Sequence, residues 1–195
     1  MLSAPSGAGK TTLCKRILAG VPGIDVSVSY TTRAPRKGEV GDVDYTFVDI
    51  GEFERMVRAG EFIEWARVYG NCYGTARRRV EEILASGRDV MMDIDSQGAG
   101  QIRAAGIAAT YVFVIPPSLD ALSKRLIGRD TDTQEVIRGR IEGAKAEIMQ
   151  YHNYDYVVVN EDLEMAVADV ASIIASDRLR IEYVDAEEFK REFSL

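Results

Sequence analysis

The sequence predicts an α/β fold, a parallel sheet covered by helices on both faces, with a small mixed-β lobe inserted into it. Three observations carry this. Strand-like and helix-like segments alternate along the chain, as repeated strand–helix units do. The runs DVMMDI (89–94) and TYVFVI (110–115) are almost continuously apolar, the pattern of strands buried on both faces. From about residue 26 to 87 the alternation gives way to several short strand-like segments, which marks an insertion.

The elements follow in order. TTLCKRILAG (11–20) sets Leu13, Ile17 and Leu18 on one helical face and stops at Gly20 and Pro22. DVSVS (25–29) is a strand candidate, YTTRAPRKGE (30–39) a polar turn and YTFVDI (45–50) a strand. GEFERMVRAG (51–60) is an amphipathic helix with Phe53, Met56 and Val57 inward and Gly60 as its stop. EFIEWARV (61–68) alternates as a strand does, and YGNCYGT (69–75) reads as a turn. ARRRVEEILASG (76–87) is a helix with Val80, Ile83 and Leu84 inward. PPSLDALSKRLIGR (116–129) opens with Pro117 and Ser118 in helix-start positions. A long helix from 134 to 151, the apolar strand YVVVN and a helix LEMAVADVASIIAS complete the pattern. The expected division is a single domain with its core in residues 1–25 and 88–175, a lobe over 26–87 and a tail, 178–195, of unassigned role.

Composition bounds the function. Of 195 residues, 46% are hydrophobic and 28% charged, enough to bury one core. The net charge of −7 argues against nucleic acid or an anionic membrane as partner. Apolar runs are only a few residues long, so none reads as a bilayer span. Two cysteines and no secretory segment fit reduced thiols and a cytoplasmic location, and neither Cys14 nor Cys72 is expected to react. A single histidine, His152, excludes a multi-histidine metal site and reads as a structural group at a helix end.

The chain opens on MLSAPSGAGKTT. The G-x-x-x-x-G-K-[ST] loop works because small residues let backbone N–H groups converge on phosphate oxygens, and the following helix adds its positive end. Lysine then reaches the β/γ-phosphates and the hydroxyl binds Mg²⁺. Gly9, Lys10 and Thr11 fit this P-loop pattern, while Ala4 stands where the first glycine belongs. A glycine turn capping an amphipathic helix is the plainer alternative. The position of the loop, directly before such a helix in an alternating chain, favours phosphate. Met1 and Leu2 are few residues for the buried strand that normally feeds such a loop.

Within the lobe, Arg33 and Arg36 lie three apart in a proline-stiffened loop, with Tyr45 shortly after. Two forked guanidiniums and a phenol suit one phosphate monoester, and equally a solvated basic turn. Glu64 offers a carboxylate able to accept two parallel N–H donors, the pattern of the guanine edge, where adenine presents an acceptor. It equally fits the wet face of an alternating strand.

The quoted segments SAPSGAGKTT, SVSYTTRAPRKGEVGDVDY, EFIEWARVYGNCYGT, DVMMDIDSQGA and DYVVVNEDL stand together in an order and spacing that resemble guanylate kinase, over about residues 3–175. The resemblance implies transfer of a phosphoryl group from ATP to GMP, giving ADP and GDP, with Mg²⁺ accompanying ATP. It implies that Ala4, Pro5, Ser6, Gly7, Ala8, Gly9, Lys10, Thr11 and Thr12 meet ATP, with Asn160 near the adenine. Arg33, Arg36, Tyr45 and Tyr73 would hold the GMP phosphate, and Ser29, Glu64, Thr75 and Asp95 would surround the guanine. Asp93 would meet Mg²⁺ through water beside both phosphates, with Thr11 as its direct ligand. The resemblance also implies a helical lid near residues 125–140, and Arg125, Arg129 and Arg140, in and beside it, would neutralise the transferring group together with Lys10. The family usually has glycine where this chain has Asp130. Two rivals are a guanylate-kinase-like protein-binding module without catalysis and a P-loop kinase for another small molecule. The first would have an eroded phosphate loop, and the second would have no use for Glu64 and Thr75. Monomer and homo-oligomer both remain open.

Overall fold

A computed structural model describes residues 1–68, 70–127, 134–184 and 186–194 of the chain. The elements are β1 (Leu2–Ser3), α1 (Lys10–Gly20), β2 (Ile24–Val26), β3 (Tyr30–Thr31), β4 (Thr46–Phe47), α2 (Ile50–Arg58), β5 (Phe62–Val68) and β6 (Asn71–Ala76). They continue with α3 (Arg77–Ala85), β7 (Asp89–Met91), α4 (Ser96–Ala104), β8 (Val112–Ile115), α5 (Leu119–Ile127), α6 (Gln134–Ile148), β9 (Tyr156–Val159), α7 (Leu163–Asp177) and α8 (Ala186–Phe193).

Five strands form the core. β2 pairs with β7, and β1 pairs with β8, which pairs with β9, all in parallel. The Leu2 N–H donates to the Met92 carbonyl and the Ile94 N–H to the Leu2 carbonyl, so β1 also joins the end of β7. The resulting order, β2-β7-β1-β8-β9, sets the two-residue β1 in the middle. Brief as it is, β1 is the strand that feeds the glycine loop.

Helices cover both faces. Leu13, Cys14 and Ile17 of α1 and Ala166 and Val170 of α7 close on Leu2, Met91, Val112, Val114 and Val158. On the other face Val80 of α3 and Ala99 and Ile102 of α4 meet Met92, Ile94 and Tyr111. α5 and α6 form a smaller apolar unit of Leu122, Leu126 and Ala144. Among the described residues no helix is long and apolar enough to cross a membrane.

A second sheet, ordered β4-β3-β6-β5, holds β3 parallel to β4 and antiparallel to β6, with β5 antiparallel to β6 at the edge. Its small core stacks Phe53 of α2 on Phe62 at 4.6 Å between ring centroids.

Several expectations change. YGNCYGT is not a turn, because residues 71–76 are strand β6. Its glycine at 74 hides the alternation, and a Cβ there would meet the Phe62 ring at 2.9 Å. The polar turn over 30–39 begins instead as β3, and the strand expected at 25–29 is Ile24–Val26. α4 goes unannounced by periodicity because Gly98 and Gly100 lower its helix propensity, although Asp95 caps it. The apolar run of β9 belongs to an edge strand, with Tyr156, Val157 and Val159 exposed.

Phe113, in β8, is 1% exposed and stacks on Tyr154 at 4.6 Å between centroids. Phe113→Ala is expected to cost about 3–5 kcal/mol, as aromatic truncation in a core does. Urea unfolding checks this, and a loss under about 1 kcal/mol would show that the site collapses around the smaller side chain.

Candidate active site

At the carboxyl end of β1 the chain turns through the loop 4–9 into α1. Gly7 and Gly9 take φ values of 93° and 94°, a region costly for any residue with a Cβ. Packing around the loop imposes the same requirement. A Cβ on Gly7 would meet Leu122 and Leu126 at 2.9 Å, and one on Gly9 would meet the Asn160 amide nitrogen. Ala4, in place of the pattern's first glycine, is absent from the positive-φ residues and so fits without strain. No side chain caps α1 at Gly9, which leaves the first-turn N–H groups for a ligand.

Lys10 Nζ lies 2.5 Å from Asp93 Oδ1 and donates to the Ile94 carbonyl at 2.7 Å. Burial alone would push its pKa down, but the Asp93 carboxylate reverses that and the net direction is up, so the ammonium stays charged. Asn160 is buried, and its amide donates to the Ala8 carbonyl at 2.7 Å. Arg125 donates to the Asn160 carbonyl at 2.8 Å and to the Ala8 carbonyl at 3.4 Å. Both therefore hold the loop's back.

One cleft is lined by Lys10 and Thr11 from the loop side, Asp93 and Asp95 from the carboxyl end of β7, and Ser29, Tyr45, Glu64 and Tyr73 from the second sheet. Glu64 is 5% exposed and accepts from the Thr75 hydroxyl at 2.5 Å. A register irregularity between Phe62 and Glu64 bends β5 there, and Phe62, Glu64 and Ala66 all face inward. Burial pushes the Glu64 carboxyl up to about 7, against the hydrogen bond from Thr75 and with the help of Asp95. Asp95 accepts from the Gly98 N–H at 2.8 Å.

A sequence model of the family described as guanylate kinase matches residues 1–177. The chain belongs to the guanylate kinase family. It is 49% identical to guanylate kinase from Geobacter sulfurreducens over 180 residues, 92% of this chain and 89% of that one. It is 51% identical to guanylate kinase from Novosphingobium aromaticivorans over 181 residues, 92% and 82% of the two chains. Among solved structures, guanylate kinase from Anaplasma phagocytophilum superposes with a TM-score of 0.81 at 34% identity, covering 100% of this chain and 94% of that one.

Residues that the family resemblance singles out fall in four groups. Lys10, Thr11, Ser29, Tyr45, Glu64, Tyr73, Asp93 and Asp95 converge on the cleft, with Thr75 directly behind Glu64. Arg33 and Arg36 do not line it, although Arg33 lies beside Tyr45, which does. Arg33 donates to Glu39 at 2.8 Å and lies over the Tyr45 ring at 5.3 Å, while Arg36 is exposed. Of the lid arginines, Arg140 is half-buried on α6, and Arg129 lies outside the described residues, as does Asp130. Pro5, Ser6 and Thr12 belong to the loop and the first turn of α1.

Four participants escape sequence reasoning. Glu39 occupies the guanidinium of Arg33, and Gly98 and Gln101 of α4 touch the Glu64 segment. Glu147 of α6 has its carboxyl pushed up to about 6 by burial and by Asp95 nearby, so the site's charge reaches that helix. Only the acceptor three residues after Arg36 is readable as a turn signal. Cys14 is buried on α1, and that burial pushes its thiol up to about 12.

Burial raises the Glu64 pKa above its unfolded value near 4.5, so the native state holds that proton more tightly. The associated stability is complete below about pH 4.5 and is lost as pH rises through about 7. Wild type is thus expected to lose melting temperature relative to Glu64→Gln across this window. A difference between the two that does not vary with pH would contradict the raised pKa.

Proposed function

We propose that this cleft catalyses the guanylate kinase reaction, ATP + GMP to ADP + GDP, with the triphosphate on the glycine loop and GMP held by the second sheet. The observation that carries this reading is the single cleft lined by both Lys10 and Glu64. An anion cradle and a two-acceptor carboxylate share one cavity, which suits transfer between a triphosphate and a guanine monophosphate.

Lys10 and the N–H groups of the loop and first turn of α1 draw charge from the β- and γ-phosphates. Tyr45, Tyr73, Arg33 and Arg36 grip the acceptor phosphate, Arg33 exchanging its bond to the Glu39 carboxylate for bonds to phosphate oxygens. Glu64 accepts the guanine N1–H and N2–H, with Ser29, Thr75 and Asp95 around the ring. Arg140 and Arg129 stabilise the transferring group. Arg125 acts through the loop, since its donors are engaged by Ala8 and Asn160, and Asn160 shapes the ATP side by the same bond to Ala8. The acceptor phosphate is already ionised, so no general base is required, and alignment with exclusion of water supplies the rest.

Among the described residues no cluster of three His, Cys, Asp or Glu side chains is placed to hold a metal by itself. The Thr11 hydroxyl and Asp93 carboxylate on the cleft wall are hard oxygen donors, which suit Mg²⁺ shared with phosphate oxygens and water. Mg²⁺ bound there would neutralise charge on the β- and γ-phosphates. The reaction and two free cysteines fit a cytoplasmic location.

A coupled assay for ADP with GMP, AMP, UMP or no acceptor tests the reading. Turnover with GMP alone supports it, turnover without preference for GMP points to another P-loop kinase, and no turnover at all points to a binding module. Lys10→Ala is expected to lower kcat by two or more orders of magnitude, the scale of a lost electrostatic contact to a developing charge, while GMP binding in calorimetry persists. Near-normal turnover would remove Lys10 from the chemistry.

A further inference from the structure

We infer that Gln101 and Gly98 of α4 are positioning residues for guanine selection, which they govern by fixing where the Glu64 carboxylate stands. The inference rests on the reading of Glu64 as the guanine acceptor.

β5 is the edge strand of the second sheet, so at Trp65 its outward N–H and C=O have no neighbouring strand. The Gln101 side chain supplies one in miniature. Its Oε1 accepts from the Trp65 N–H at 3.1 Å and its Nε2 donates to the Trp65 carbonyl at 2.6 Å. This two-point clasp pins the backbone immediately after Glu64. One turn earlier on the same helix, Gly98 removes the one atom that would collide. A Cβ there would lie 2.4 Å from Glu64 Oε2 and 3.0 Å from its carboxyl carbon. The φ of Gly98 is not positive, so the glycine is required by space and not by backbone conformation.

The two contacts act together. Gln101 sets the height of the strand, Gly98 lets the carboxylate lie flat against the first turn of α4, and Thr75 holds Oε1 from the other side. α4 also carries Asp95 as its cap, which ties both guanine-side carboxylates to one helix end. A guanine presents two N–H donors to this carboxylate and hypoxanthine only one. A carboxylate displaced or freed to rotate keeps the shared donor and loses the second. The consequence is specific: selectivity between the two bases falls before catalysis does.

The experiment compares wild type, Gln101→Ala, Gln101→Leu, Gly98→Ala and Glu64→Gln with GMP and IMP as acceptors at saturating ATP. Gln101→Leu keeps the bulk and removes both hydrogen bonds. It and Gln101→Ala are expected to raise the KM for GMP about tenfold, the scale of one to two net hydrogen bonds, with kcat and the KM for ATP within about twofold. The GMP-over-IMP ratio of kcat/KM should fall by about the same factor. Gly98→Ala should fall further, and should it fail to fold, the Gln101 pair still decides. If Glu64→Gln lowers the GMP-over-IMP ratio while both Gln101 variants keep the wild-type ratio, the clasp does not position the carboxylate and the inference is overturned. If Glu64→Gln itself leaves the ratio unchanged, the guanine reading of Glu64 fails, and this inference with it.

Discussion

The Lys10 ammonium is the charge around which the site is arranged. It is nearly enclosed, and an enclosed cation without a partner would give up its proton. Asp93 and the Ile94 carbonyl prevent that from across the sheet, 84 residues along the chain in the case of Ile94. This one contact needs β1 and β7 adjacent and ending at the same level, which the Leu2 bonds to Met92 and Ile94 achieve. A parallel sheet with crossover helices is the simplest device that brings the first loop beside the end of a strand near residue 93.

Loop rigidity comes from outside the loop. Gly7 and Gly9 hold conformations other residues avoid, and the space a Cβ would need is filled by Leu122 and Leu126 of α5 and by Asn160 after β9. Arg125 and Asn160 both direct donors to the Ala8 carbonyl, and the Ala8 N–H donates to the Pro5 carbonyl at 3.1 Å, so the loop is held from both within and behind. α5 is thereby packed directly on the glycine loop, and a motion of α5 would be felt at Gly7 by contact alone.

Legibility in the sequence follows periodicity and fails where glycine or brevity erases it. The glycine loop, α1, α2, β5 and β8 are readable because their apolar spacing is complete. β6 is hidden because Gly70 and Gly74 imitate a turn, although Gly74 is small to admit the Phe62 ring. α4 is hidden because Gly98 and Gly100 weaken its helical pattern, although Gly98 is small to admit Glu64. Both failures have one cause. A glycine chosen for a close side-chain approach looks, in one dimension, like a glycine chosen for a backbone turn. Individual site residues are visible through the family resemblance, whereas Gln101, whose partner lies on another element, carries no local signal of the contact it makes.

The distribution of charge adds a constraint on how an acceptor enters. The chain is acidic overall, at −7, and the cleft itself contains Asp93, Asp95 and Glu64. A polyanion would be repelled by such a surface if the signs were mixed. They are separated instead: Glu64 and Asp95 meet at the first turn of α4, while Arg33 lies with Tyr45 and Tyr73. Under the proposed reading, GMP entering base-first sets its N–H donors on the carboxylates and its phosphate among the guanidinium and phenols. Entered the other way round, it would press a doubly charged phosphate onto Glu64 and Asp95, an arrangement that like-charge repulsion in a partly desolvated cleft opposes strongly. Orientation is then decided by the placement of charge before any hydrogen bond is formed. The raised pKa of Glu64 follows first from its burial, with the Asp95 charge beside it adding to the shift.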